Sequence, residues 1–208
     1  MEIINHEEEK GTEEKGNEQE NKKKKKIEIE GGITIENIVA TAEIAENIDL
    51  GRIVMAFEGA KYDQHRFPGL IYKDIDLNVS VLIFRSGTMN ITGVTNMEDL
   101  QNMVDMVLQR LRSAGVKVNE KPEVKVMNIV ALATVSENLD LPRVAMGMGL
   151  ENIEYEPEQF PGLVYRQEKM TFLLFSSGRV VCTGAQEIQE IPEGVRKLKE
   201  TLNMFIEI

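Results

Sequence analysis

The chain has 208 residues, 42% of them apolar and 28% charged, enough to bury a core in one large domain or two small ones. No apolar run approaches 18 residues and the first 20 residues are the reverse of a secretory leader. One cysteine and two histidines leave neither an internal disulfide nor a thiolate zinc cluster, so a cytoplasmic protein with no membrane partner, cofactor or metal is expected. Net charge is −11, which counts against nucleic acid as a partner unless the charges are unevenly placed.

Residues 1–32 hold ten acidic and seven basic side chains with almost nothing apolar between Ile4 and Ile27. Such a stretch cannot offset its ordering entropy by burial and is predicted to be a disordered charged tail. Its run Lys22 to Lys26 reads as a solubilising flank, or as a basic patch. Ile33 to Thr41 then alternates as a strand, Asp49 to Phe57 fits a short helix, and Leu70–Ile75, Val79–Phe84 and Thr88–Val94 are β-branched and aromatic strands. Thr95 to Glu98 has the form of a capping box. It precedes a helix to about Ala114 with Leu100, Met103, Val104, Val107, Leu108 and Leu111 on one face, and Gly115 as its stop. Near the end, Pro192 suits the first turn of a helix whose stripe is Val195, Leu198, Leu202 and Phe205.

These elements occur twice. ENIVATA from Glu36 recurs as MNIVALA from Met127, RFPGLIYK from Arg66 as QFPGLVYR from Gln159, and LIFRSGTMNITG from Leu82 as LLFSSGRVVCTG from Leu173. The offsets are 91, 93 and 91 residues, too constant for chance, and define tandem units at 33–120 and 121–208. Each unit is expected to be α+β, an antiparallel sheet with its long helix on one face.

A sheet covered on one face should be polar on the other. Here Val81 and Ile83 oppose Leu82 and Phe84, and Phe172 and Leu174 oppose Leu173 and Phe175, so both faces are apolar and the second needs a partner. Period-2 parity puts Asn37, Val39 and Thr41 on that second face, with Asn128, Val130 and Leu132 in the copy. Across the hairpins it adds Asn90 and Thr92, matched by Val181 and Thr183, and leaves Cys182 on the core side. Few ionised groups fall there.

The two repeats, the paired NIVA and FPGL(I/V)Y(K/R) segments and the paired F-x-SG…TG hairpins resemble the TATA-box-binding proteins, archaeal members above all, over residues 33–208. The resemblance implies a pseudo-two-fold saddle whose curved antiparallel sheet lies in the DNA minor groove, with helices on the convex face. It implies a general transcription initiation factor that binds A·T-rich promoter DNA, bends it, and recruits transcription factor B and RNA polymerase. Base contacts are then expected from Asn37, Val39, Leu82, Asn90, Thr92, Asn128, Val130, Leu173, Val181 and Thr183. The minor groove offers acceptors at A·T pairs and adds a guanine amino donor at G·C, so amide and hydroxyl donors among branched apolar side chains suit A·T. Phe67, Phe84, Phe160 and Phe175 match the wedges that unstack base pairs. Lys73, Arg85, Arg166 and Arg179, with Ser86 and Ser177, are expected to meet phosphates. Glu156, Glu158 and Gln159 fill the surface that resembles the docking site for transcription factor B.

Four features depart from the family pattern. Asn90 stands where a small apolar side chain is usual, and Thr88 where a lysine or arginine is usual. The turn at Gln167–Met170 is two residues shorter than its counterpart, and Gln159 replaces a leucine. An enzyme is not expected, since His65 has no duplicated equivalent or cysteine partner and neither Walker A nor G-x-G-x-x-G occurs. The alternative is a protein-interaction module that uses the apolar sheet face without DNA.

Overall fold

The computed structural model describes residues 27–148 and 151–206. Strand β1 (Glu28–Ile29) precedes β2 (Ile33–Glu43), the short helix α1 (Leu50–Ile53) and a 3-10 turn at Val54–Ala56. Strands β3 (Gly69–Asp74), β4 (Val79–Phe84) and β5 (Thr88–Val94) lead into α2 (Met97–Ser113). The order then repeats as β6 (Val124–Thr134), α3 (Leu141–Met148), β7 (Ile153–Glu154), β8 (Leu163–Gln167), β9 (Met170–Leu174), β10 (Arg179–Ala185) and α4 (Glu190–Ile206).

The strands form one curved, unclosed antiparallel sheet in the order β3-β4-β5-β2-β6-β10-β9-β8-β7, with β1 paired to β2. The repeats meet at β2 and β6, and their register carries the duplication. Asn37 pairs with Val130 and Val39 with Asn128, Ile35 with Ala131 and Ala40 with Val126, Thr34 with Leu132 and Thr41 with Lys125. Each partnership returns its own mirror under the 91-residue offset, so a pseudo-two-fold axis passes through the one self-matched pair, Ile38 and Ile129. β7 has its counterpart in a single bridge between Lys61 and Ile71.

Alternation assigns the two faces. Along β4, Val79, Val81 and Ile83 are buried while Ser80, Leu82 and Phe84 are half-buried, and β9 and β10 follow the same rule. The buried residues meet α2 through Leu100, Met103, Val104, Val107, Leu108 and Leu111, and α4 through Ile191, Val195, Leu198 and Leu202. Phe205, the last residue predicted for that stripe, has a side chain outside the described residues. The helices thus occupy one face and leave the opposite, concave face uncovered.

Two expectations shift. The tail predicted to lack structure through residue 32 ends earlier: Glu28 and Ile29 pair with Thr34 and Ile33, and the Ile35 amide donates to the Ile27 carbonyl at 3.0 Å. Ile27 and Ile29 are the first apolar residues after the lysine run, which gives that segment a side chain to pack. Residues 1–26 lie outside the described residues. The cap of α2 is Asn96, one residue beyond the predicted Thr95. Its Oδ1 accepts from the Asp99 amide at 2.7 Å while the Asp99 carboxylate accepts from its Nδ2 at 2.6 Å. Asparagine is the stronger cap, and Asp99, not Glu98, sits three residues on to close the box.

Candidate nucleic-acid interface

The centre of the concave face is built from two copies of one device. Asn37 Oδ1 accepts from the Gly93 amide at 2.7 Å, and its Nδ2 donates to Thr92 Oγ1 at 3.2 Å. Asn128 Oδ1 accepts from the Gly184 amide at 2.7 Å, and its Nδ2 donates to Thr183 Oγ1 at 3.0 Å. A backbone N–H can only donate, so each amide is fixed with its oxygen toward the glycine. Among the described residues each Nδ2 makes that one hydrogen bond, so its second hydrogen has no acceptor there.

The glycines make the device possible. Gly93 is the extra residue between the Ile38–Val94 and Val39–Thr92 pairs, a bulge with φ +105, and Gly184 holds φ +100 at the matching place. A Cβ on Gly93 would lie 2.5 Å from the Asn78 carbonyl oxygen, and one on Gly184 2.3 Å from that of Lys169. Only glycine turns its N–H toward the asparagine there. The paired TG of the sequence is therefore part of the site.

Cross-strand register sets the other groups beside these amides. One row runs Lys73, Ser80, Thr92, Val39 and Asn128, and the matching row begins Arg166, Thr171 and Thr183. Further out, Ile71, Leu82, Asn90, Thr41 and Lys125 form a second row, matched by Val164, Leu173, Val181, Leu132 and Thr34. Every predicted base-contact residue thus lies on the concave face. Val39, Leu82, Asn90, Val130, Leu173 and Val181 are half-buried, which places an apolar surface in contact with solvent. Ile71, Lys125 and Val164 also stand on this face; the period-2 expectation does not extend along β3 and β8, and the bulge at Met127 reverses parity ahead of Asn128.

The aromatic pairs stand at the two ends of the sheet. Phe67 and Phe84 have ring centroids 5.8 Å apart at 58°, and Phe160 and Phe175 are 5.9 Å apart at 69°. Each leading ring comes from a turn closed on a backbone carbonyl: the Phe67 amide donates to Asp63 at 2.9 Å, and the Phe160 amide to Glu156 at 3.0 Å. Phe160 is 37% exposed, unusual for a ring in a fold with this much core.

Lys73, Arg85, Arg166 and Arg179 are exposed beside the rows and hairpins, as are Ser86 and Ser177. Arg166 is held by Glu154 at 3.2 Å, and Ser86 Oγ donates to Thr88 Oγ1 at 3.0 Å. Glu98, Asp99, Asp105, Glu190 and Glu193 lie on the helices that cover the opposite face. Glu156, Glu158 and Gln159 are exposed together on the loop before Phe160, where the Gln159 side-chain amide donates to the Glu156 carboxylate. Cys182 is fully buried and its thiol is pushed up to about 12 by desolvation, which removes it as a nucleophile. His65 is exposed, and among the described residues no cluster of three or more His, Cys, Asp or Glu could hold a metal. No helix among the described residues is long and apolar enough to cross a membrane.

The family model described as transcription factor TFIID, or TATA-binding protein, matches residues 32–114 and 123–205. A TATA-box-binding protein of Picrophilus torridus is 51% identical over 172 residues, covering 82% of this chain and 94% of the relative. That of Methanothrix thermoacetophila is 45% identical over 177 residues, covering 84% and 97%. Among solved structures, the TBP of Methanococcus jannaschii superposes with a TM-score of 0.77 at 37% identity, over 83% of this chain and 98% of that one.

Proposed function

Since the chain belongs to the TATA-binding protein family, we propose that it is a transcription initiation factor that seats its concave sheet in the minor groove of A·T-rich promoter DNA. The observation that carries the reading is the duplicated amide device, two oriented Nδ2 donors in an otherwise apolar surface related by a pseudo-two-fold axis. Such donors suit adenine N3 and thymine O2, which occupy near-equivalent places in A·T and T·A pairs. Val39, Val130 and Val181 offer no acceptor to a guanine amino group, and burying that group unpaired costs about 1 to 3 kcal/mol. Thr92 and Thr183 add hydroxyls beside each amide.

Phe67 with Phe84, and Phe160 with Phe175, act as wedges at the two ends and bend the duplex. Side chains inserted between base steps bend DNA by roughly 20 to 90 degrees, a range that includes members of this family. Lys73, Arg85, Arg166 and Arg179, with Ser86 and Ser177, meet the flanking phosphates. The loop of Glu156, Glu158 and Gln159 receives transcription factor B, which brings RNA polymerase. The chain acts in the cytoplasm on nucleoid DNA, as a binding protein and not an enzyme, and the units are 33–120 and 121–208.

The test exchanges A·T for inosine·cytosine pairs across the element, which keeps the minor-groove pattern and changes the major groove. Binding survives if the concave face reads the minor groove. Its collapse in the exchanged duplex would overturn the reading.

A further inference from the structure

The pseudo-two-fold axis relates the backbone of the two halves, but one row of side chains breaks it. In the first half the concave row ends Asn90, Thr41 and Lys125; at the same three places the second half has Val181, Leu132 and Thr34. All three differences lie side by side across adjacent strands, and each puts the more polar or charged group in the first half. A fourth difference runs the other way, since exposed Arg179 at the hairpin of β10 is matched by Thr88 in β5.

Asn90 also differs from the two central asparagines. Asn37 and Asn128 are each locked by a glycine amide, whereas among the described residues the Asn90 side chain has no hydrogen-bond partner. Thr41, beside it, gives its proton to the Met89 carbonyl at 3.1 Å, leaving its oxygen as an acceptor. An unlocked amide next to a free acceptor can turn Nδ2 toward an adenine or thymine acceptor, or Oδ1 toward a guanine amino group. Val181 and Leu132 have neither donor nor acceptor and would leave a guanine amino group unpaired. Lys125, with a side chain 63% exposed and its Nζ 3.6 Å from a Glu123 carboxylate oxygen, stands next to Thr41 on the same face, where the mirror position holds the uncharged Thr34.

We propose that Asn90, Thr41 and Lys125 form a specificity-determining row that admits one G·C pair in the first half-site, while Val181, Leu132 and Thr34 exclude it in the second. The protein therefore binds a near-symmetric element in one orientation by base preference. Lys125 and Arg179 are cations without a charged counterpart, since Thr34 and Thr88 stand at their mirror positions.

This rests on the minor-groove reading, and the experiment separates the two. Single G·C pairs, and single inosine·cytosine pairs that lack the amino group, are walked across an eight-pair A·T duplex, and the dissociation constant of the full chain is measured for each. Failure to bind the parent duplex or its inosine form overturns the minor-groove reading itself. With binding present, one G·C position is expected to weaken affinity at least tenfold less than its mirror position, and inosine there should erase the difference. Asn90→Val should remove the tolerant position, and Val181→Asn should create a second one in the mirror half, a gain that misfolding cannot produce. Lys125→Thr and Arg179→Thr should each reduce the salt slope by about 0.9. Equal penalties at mirror positions in the unaltered chain, or penalties that neither Asn90→Val nor Val181→Asn changes, overturn the proposal.

Discussion

Gly69 and Gly162 each follow the proline after Phe67 or Phe160, and their value lies in what they do not carry. A Cβ on Gly69 would sit 2.8 Å from the Phe67 ring and 3.1 Å from the Phe84 ring; on Gly162 it would sit 2.7 Å from the Phe160 ring and 3.1 Å from the Leu174 carbonyl. Gly162→Ala is therefore expected to push the Phe160 ring off its position while the sheet still folds, shortening the lifetime of the DNA complex. Phe160→Ala should lower the bend angle with little loss of thermal stability, because that ring is already 37% exposed; circular permutation bandshift and melting together check both. At Asn128, exchange for Asp keeps the acceptor for Gly184 but removes the donor and adds a negative charge. Affinity for A·T duplex should fall by about tenfold, since a neutral hydrogen bond is worth roughly 0.5 to 1.5 kcal/mol and the added carboxylate is repelled by the duplex. The Cys182 thiol, raised from 9.0 to about 12, holds its proton in the folded state where an unfolded chain would have lost it. The folded state binds the extra proton between those values, so this group's contribution to stability is full below pH 9 and declines as pH rises toward 12. Cys182→Ala should flatten the alkaline edge of a pH-stability profile, measured by denaturant titration.

Element by element, the helices are set by their ends. At the start of α2 the Asn96 Oδ1 accepts from the Asp99 amide, and the Asp99 carboxylate accepts from the Asn96 Nδ2. Asn96→Ala should cost about 1 kcal/mol, read as a fall of a few degrees in Tm. α4 opens differently: the Glu190 carboxylate accepts from the Gln186 amide at 3.0 Å and pairs with Lys169. Lys169 and that amide hold the carboxyl below its ordinary range, so its stabilising contribution is present at neutral pH and is lost as pH falls through that lowered value. The strands differ from the helices in being tied to each other. β2 and β6 run 11 residues each and bulge at matching places, Glu36 and Met127, which keeps Asn37 and Asn128 on the concave side.

For the molecule as a whole, the junction of β2 with β6 makes the repeats one sheet with one core. Ile38 and Ile129, at 0% and 1% exposure, meet on the pseudo-axis. Ile129→Ala should destabilise by roughly 2 to 5 kcal/mol, the cost of an unfilled core position. Both repeats should still unfold in a single transition by calorimetry, since neither retains a complete sheet without the other. A separate melting step for each repeat would show that the junction does not couple them. Charge placement is a property at the same scale. A chain of net −11 still has Lys73, Arg85, Arg166 and Arg179 exposed beside the concave rows and hairpins, so net charge alone misjudges what the open face can bind.

The duplication, the main strands and long helices, and the parity of Leu82, Phe84, Asn90, Thr92 and Cys182 were legible in the chain itself, because local periodicity and repeated motifs are properties of neighbours along it. The family was legible too, through residues that recur at constant offsets. The short strands β1 and β7, and which groups stand beside one another across strands, came only from the folded sheet. Lys125 reaches the concave face only because a bulge at Met127 shifts the register, and the Gly93 and Gly184 amides lock Asn37 and Asn128 over 56 residues of separation. The row of Asn90, Thr41 and Lys125 draws on β5, β2 and β6, elements up to 84 residues apart, and no periodicity within any one of them encodes that alignment. Cross-strand register is set by the packing of the whole sheet on its helices, and so it becomes visible only once the chain has folded.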